Sequence, residues 1–155
     1  MRRKERECND PAFFARLFEE AEVMTLAFQA EEAPYVIPVN FVFLDGALYF
    51  HCAREGRKLD CLKQAPGVGF SVHEVIAIDR EKATTLYKSL CGTGKASCVV
   101  DMEEKSRALA ALAEKYKSRC TLPVPEKTLK STEVVKIAIA SLSGKSNPPQ
   151  GKEKN

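Results

Sequence analysis

The dipeptide Asp45-Gly46 constrains this chain more than any other feature. It stands between two runs of strand-forming residues, Pro34–Leu44 (PYVIPVNFVFL) and Ala47–Ala53 (ALYFHCA). A two-residue hairpin of type I′ needs positive φ at both central positions, which Asp-Gly accepts, and it suits the twist of antiparallel strands. Val23–Gln29 reads as a preceding strand, so the first third of the chain is an antiparallel meander. Pro38 inside the second run cannot donate to a ladder, which argues for a bulge or a sheet edge there.

The remaining elements follow from periodicity. Asp10 can cap a helix and Pro11 suits its first position, while Phe13, Phe14, Leu17, Phe18 and Ala21 share one face. Arg57–Gln64 reads as a short helix ended by Ala65-Pro66-Gly67, and Val68–Val75 as a strand. Residues 76–86 read as a charged loop. Tyr87–Val100 is a long strand whose Gly92-x-Gly94 pair marks a bend of the kind that closes a barrel. Asp101-x-x-Glu104 opens a third helix, with Leu109, Leu112, Ala113 and Tyr116 on its apolar stripe. A proline-bearing loop, Cys120–Ser131, leads to a last strand at Thr132–Leu142. The order α-β-β-β-α-β-β-α-β, with tight turns between consecutive strands, favours a small antiparallel barrel with peripheral helices. At 155 residues this is one domain over 1–143, followed by a flexible basic tail, 144–155.

Composition excludes several functions. The net charge is +3, and the two ends hold all of it. Residues 1–10 set Arg2, Arg3, Lys4 and Arg6 against Glu5, Glu7 and Asp10, and the tail sets Lys145, Lys152 and Lys154 against Glu153. Residues 11–143 therefore balance, and the body has no field to gather nucleic acid or an anionic membrane. No apolar run approaches the roughly 20 residues that span a bilayer. The six cysteines, Cys8, Cys52, Cys61, Cys91, Cys98 and Cys120, form no CxxC, and only His51 and His73 accompany them. A zinc site is not indicated; the simplest setting is a reducing cytoplasm with most thiols in the core.

The stretch richest in chemistry is Leu48–Asp60. A strand delivers His51 and Cys52, Gly56 allows a tight turn, and a helix starts with Arg57 and Lys58. Free N–H groups at a helix start attract an anion, and two cations reinforce them. The bland alternative is a pair of solvated first-turn side chains. Against it, cations at a helix N-terminus are mildly unfavourable unless an anion offsets them.

Here the sequence resembles a known family. The stretch PYVIPVNFVFLDGALYFHCAREGRKLDCLKQAPGVGFSV is similar to the core of the flavin-binding split-barrel proteins related to pyridoxamine 5′-phosphate oxidase, and most of all to their nitroimidazole-resistance (Nim-type) branch. The features that carry this are the opening MRRKERE, the P-Y-V-x-P-x-N-F strand, the Y-F-H-x-A-x-x-G-x-K segment, Tyr87-Lys-Ser89, and Ser143-Gly-Lys145. The resemblance implies a mainly β fold with flanking helices, a six-stranded antiparallel split β-barrel, forming a homodimer with FMN at the interface. It implies that Arg57 and Lys58 hold the FMN phosphate, with Gly56 permitting close approach. Val39 and Asn40 would run along the isoalloxazine, His51, Cys52 and Ala53 along the ribityl and phosphate side, and Tyr87 and Ser89 would complete the pocket from the neighbouring strand. His51 would be the catalytic proton donor, whereas Cys52 stands where the branch often has Ser or Gly.

Read on their own, these residues leave alternatives open. Asn40 is an amide in an apolar strand and needs partners, which a flavin edge or a bulge at Pro38 could supply. Val39 matters through its backbone, if at all, and His73 and Asp79 read as surface residues. The implied activity is an FMN-dependent oxidoreductase passing electrons from a reduced donor to a small acceptor, of which a nitroaromatic is one type. The alternative is a non-catalytic flavin-binding or sensing protein. Pyridoxamine-phosphate oxidation would need a second phosphate site, and no further Arg/Lys/Ser cluster resembles one.

Overall fold

The structure, a computed structural model, describes residues 3–118 and 131–147. After a 3-10 turn at Lys4–Arg6, its elements are β1 (Glu7–Cys8), α1 (Pro11–Glu20), β2 (Met24–Phe28), β3 (Tyr35–Val39), β4 (Val42–Leu44), β5 (Ala47–Ala53), α2 (Arg57–Gln64), β6 (Gly67–Asp79), β7 (Thr84–Cys98), α3 (Met102–Lys115) and β8 (Thr132–Asn147). Local chemistry sets the helix starts. The Asp10 carboxylate accepts from the Ala12 N–H at 3.0 Å ahead of Pro11, and Asp101 accepts from the Glu104 N–H at 2.7 Å. A cap of this type is worth about 1 kcal/mol.

All strands join one antiparallel sheet in the order β3-β2-β6-β7-β8-β5-β4, with the two-residue β1 added alongside β8. The expected count of six is therefore corrected to seven in a continuous path. The strand read across Pro34–Leu44 is interrupted at Asn40-Phe41 and becomes β3 and β4, at opposite ends of the sheet. Only those two residues link them, so the sheet must curl until its edges meet at that point. That is a barrel split along one seam. Pro38 sits on the edge strand β3, where its missing N–H costs nothing. Asp45 and Gly46 both have positive φ (50° and 79°) between β4 and β5, as the hairpin requires.

The curl comes from the long strands. Pairing of β7 with β8 slips at Thr93/Gly94, and a Cβ on Gly92 would stand 2.4 Å from the Phe70 ring and 2.6 Å from the Ser141 carbonyl. Only glycine lets the strands approach so closely at the bend. Residues 76–86 are no excursion: β6 runs to Asp79, β7 begins at Thr84, and their pairing slips at Val75/Ala77. Likewise β8 continues four residues into the segment read as a tail; residues 148–155, and the 120–130 part of the expected loop, lie outside the described residues.

Inside the curl, Phe18, Phe28, Phe41, Phe50, Phe70 and Leu90 are at most 5% exposed and form the main core. A smaller core of Tyr49, Ala108, Leu112 and Val134 seats α3 on the outer face. The cysteines split: Cys8 and Cys61 are buried and Cys52 is half-buried, but Cys91 and Cys98 are exposed, against the expectation of core thiols. No helix among the described residues is long and apolar enough to cross a membrane.

Candidate functional site

The seam itself is held open and rigid by the end of α3. The Tyr116 hydroxyl accepts the Phe41 N–H at 3.1 Å and donates to the Glu22 carbonyl at 2.6 Å. The hydroxyl thus meets the Phe41 N–H and, at 3.1 Å, the Phe41 carbonyl, backbone groups that a continuous strand would have used in a ladder, and so stabilises the break between β3 and β4. Beside it the Lys115 ammonium donates to the Phe18 and Ala21 carbonyls, both at 2.8 Å, and lies 3.8 Å from the Phe41 ring centroid. Burial pushes its pKa down to about 8. The Asn40 amide donates to the same Glu22 carbonyl at 3.1 Å. Within the chain its N–H partner is thus the α1–β2 connection.

On one side of the seam lies an open cleft of about 420 Å³ walled by Tyr35, Ile37, Pro38, Val39 and Asn40 of the β3 side and by His51, Cys52 and Lys58. Strand alternation accounts for one wall, because Tyr35, Ile37 and Val39 all turn toward the core face of β3 while Val36 and Pro38 are exposed. The helix α2 closes one end. Its cap, Gly56, has φ +120° and ψ 168°, a conformation that L side chains rarely adopt, so glycine is required there. No side chain caps α2. The Gly56 carbonyl takes the N–H groups of Leu59 and Asp60, leaving those of Arg57 and Lys58 outside the helical ladder at the positive end of its dipole.

Of the ten residues predicted for the site, five wall this cleft: Val39, Asn40, His51, Cys52 and Lys58. Gly56 and Arg57 do not wall it but precede Lys58 at the start of α2, Arg57 reaching its rim at Tyr35. The Arg57 guanidinium lies over the Tyr35 ring, 4.6 Å from the centroid, and among the described residues neither Arg57 nor Lys58 forms an ion pair. Ala53 ends β5, exposed, opposite Thr132. Tyr87 and Ser89 do not join the cleft within this chain. They lie on β7, whose neighbours are β6 and β8, with β8 separating β7 from β5 and both β6 and β2 separating it from β3.

Electrostatics distinguish the two polar side chains of the floor. Desolvation holds His51 below its usual 6.5, so it is neutral at pH 7 and can accept a proton there. Desolvation raises the Cys52 thiol, only partly countered by Lys58, which favours its protonated form at neutral pH. Among the described residues no cluster of three His, Cys, Asp or Glu side chains could hold a metal. Three cleft residues, Tyr35, Ile37 and Pro38, were not among the predicted site residues; for Tyr35 and Ile37, period-two alternation with Val39 was the signal that could have found them.

A family profile described as pyridoxamine 5′-phosphate oxidase matches residues 11–146. No curated protein sequence matches. Among solved structures, the fold is similar to that of a candidate 5-nitroimidazole antibiotic resistance protein from Bacteroides thetaiotaomicron (TM-score 0.79, 22% identity, covering 90% of this chain and 85% of that one). It is also similar to the flavocytochrome Anf3 from Azotobacter vinelandii (0.76, 19%, 94% and 71%) and to an FAD- and heme-binding protein from Mycobacterium smegmatis (0.75, 18%, 97% and 76%).

Proposed function

The chain belongs to the pyridoxamine 5′-phosphate oxidase family, and from that premise we propose that it is a flavin-binding oxidoreductase, with FMN held along the seam between β3, β5 and α2. The observation that carries this reading is the uncapped start of α2 at the end of the cleft, with Gly56, the N–H groups of Arg57 and Lys58, and two cations engaged by no carboxylate among the described residues. This donor set fits a phosphate monoester, since the N–H groups supply direction and the side chains supply charge. The apolar wall Tyr35, Ile37 and Val39 fits a flat ring system and excludes water from one face of it.

A bound flavin would supply the electron or hydride chemistry. The chain's own part is to grip the phosphate through Arg57 and Lys58, to line the cleft with the β3 wall, and to hold neutral His51 beside it as a proton acceptor, which can return the proton once it has taken it up. The acceptor is a small molecule, and the likeness to a candidate nitroimidazole-resistance protein makes a nitroaromatic the first to try. The protein acts as a homodimer: Val75, Ile76 and Ile78 on the β6–β7 arm are 57%, 49% and 69% exposed in one chain, next to Tyr87 and Ser89. A second copy covering this arm would give Tyr87 and Ser89 their role at the cofactor.

The visible spectrum of the purified protein tests the reading. Oxidised-flavin absorbance, with FMN rather than FAD released by heat and identified by chromatography, is the expected result; a protein that stays colourless and takes up neither flavin overturns it. Stopped-flow mixing with NADPH or NADH then separates function from storage. Bleaching and turnover with a nitroaromatic mark an oxidoreductase, whereas a stable yellow complex marks a carrier.

A further inference from the structure

Arg57 and Lys58 are neighbours in sequence but are held differently. Lys58 walls the cleft directly. Arg57 is exposed and reaches the site only at its rim, where its guanidinium rests over Tyr35. Tyr35 is itself backed by the core, its ring 5.8 Å from that of Phe28, at 30° between planes, and Phe28 is only 2% exposed. A contact chain therefore runs from the barrel interior through Phe28 and Tyr35 to a cation that would otherwise be a free surface side chain.

We propose that Tyr35 is a positioning residue for Arg57, holding its guanidinium in place to receive the phosphate group of the ligand at the start of α2. The proposal rests on the flavin reading above. A guanidinium lying on an aromatic ring keeps its N–H edges available, and a planar fork is suited to a phosphate in a way that the point charge of a lysine is not. Stacking removes rotamer freedom from the long arginine side chain before the ligand arrives, so less is lost on binding. The sequence hides this arrangement, because Tyr35 and Arg57 lie on separate elements and the ring reads as an ordinary strand aromatic.

Titration of flavin fluorescence with FMN and with riboflavin, which lacks the phosphate, tests the proposal in four variants. Tyr35→Leu should bind FMN about three- to tenfold more weakly, the range expected for loss of one cation–aromatic contact and its ordering. Its riboflavin affinity should fall less, by the part of the loss that comes from the place of Tyr35 in the apolar wall, so that the FMN-to-riboflavin affinity ratio drops about threefold or more. Tyr35→Phe keeps the ring and should restore FMN affinity. Arg57→Lys should lose FMN affinity at least as much as Tyr35→Leu, and the Tyr35→Leu, Arg57→Lys double variant should lose nothing beyond Arg57→Lys. Unchanged FMN affinity in Tyr35→Leu overturns the proposal, as does an equal fall for FMN and riboflavin, or additive losses in the double variant. If the parent protein binds neither compound, the flavin reading itself is overturned and this proposal with it.

Discussion

Two lysines stand on opposite sides of the same seam, and they have opposite fates. Lys115, at the end of α3, spends its ammonium on two backbone carbonyls at 2.8 Å and on the face of Phe41. Lys58, in the first turn of α2, walls an open cleft and is engaged by no carboxylate among the described residues. Both are basic groups against aromatic or apolar surroundings, so residue type does not distinguish them. What distinguishes them is whether the backbone around each has already been satisfied. Lys115 completes the carbonyls left over where α1 ends, whereas the leftover groups at the start of α2 are N–H donors, which no cation can satisfy. A lysine near leftover carbonyls closes a structure; one beside leftover N–H groups adds its charge to donors that suit an anion.

The comparison breaks most sharply at Lys115. Replacing it with Met strands two carbonyls in a half-buried groove and should cost about 3 kcal/mol of folding stability, from lost hydrogen bonds to a charged group. Urea denaturation of the two proteins measures this, and a change below about 0.5 kcal/mol, the level of an ordinary surface substitution, would deny Lys115 its structural role. Tyr116→Phe comes next, at about 2 kcal/mol, because the Phe41 N–H would be left without its acceptor at a residue that is 0% exposed. Thermal unfolding followed by circular dichroism should show the loss.

The charge on Lys115 gives a pH signature with a definite sign. Its pKa is near 8 in the folded chain and near 10.5 in the unfolded one. Between those values the unfolded state holds the extra proton, so this group makes the fold more stable as pH rises from 8 to 10.5. A neutral amine still has two N–H bonds for its two carbonyls, so the pin survives deprotonation. Denaturation midpoints measured across that window should rise relative to those of Lys115→Met, and parallel curves for the two proteins would show that the shift is absent.

Much of this was legible beforehand, in proportion to how local its cause was. Asp10, Asp101 and Asp45-Gly46 act on backbone within three residues of themselves, and each does what its chemistry dictates. Pro38 on an edge and the slip beside Gly94 are likewise consequences of one residue's geometry. The break between β3 and β4 was not legible, since a tyrosine 75 residues away stabilises it. The partner of Asn40, the Glu22 carbonyl 18 residues earlier, was hidden in the same way. The uncapped start of α2 could be read because helix, glycine and cations are consecutive. Tyr87 and Ser89 could not be placed, because strand order, and with it their distance from β5, is a property of the whole sheet.

The smallest effect belongs to His51, which the cleft desolvates without burying. Its pKa lies below 6.5, so between the two values the unfolded chain binds the extra proton and stability falls as pH drops below 6.5. His51→Gln should leave stability at pH 7 nearly unchanged and flatten that acid limb in a thermal-shift series. An acid limb as steep as that of the parent would assign the sensitivity to other groups.

Fluorescence titration with FMN of the parent and of an Arg57→Ala, Lys58→Ala variant, with unfolding temperatures taken on both, addresses the phosphate seat most directly. The account predicts that the variant keeps its unfolding temperature and loses about a hundredfold or more in FMN affinity, the loss of two charge-assisted contacts. A variant that purifies as yellow as the parent, with unchanged affinity, would contradict it.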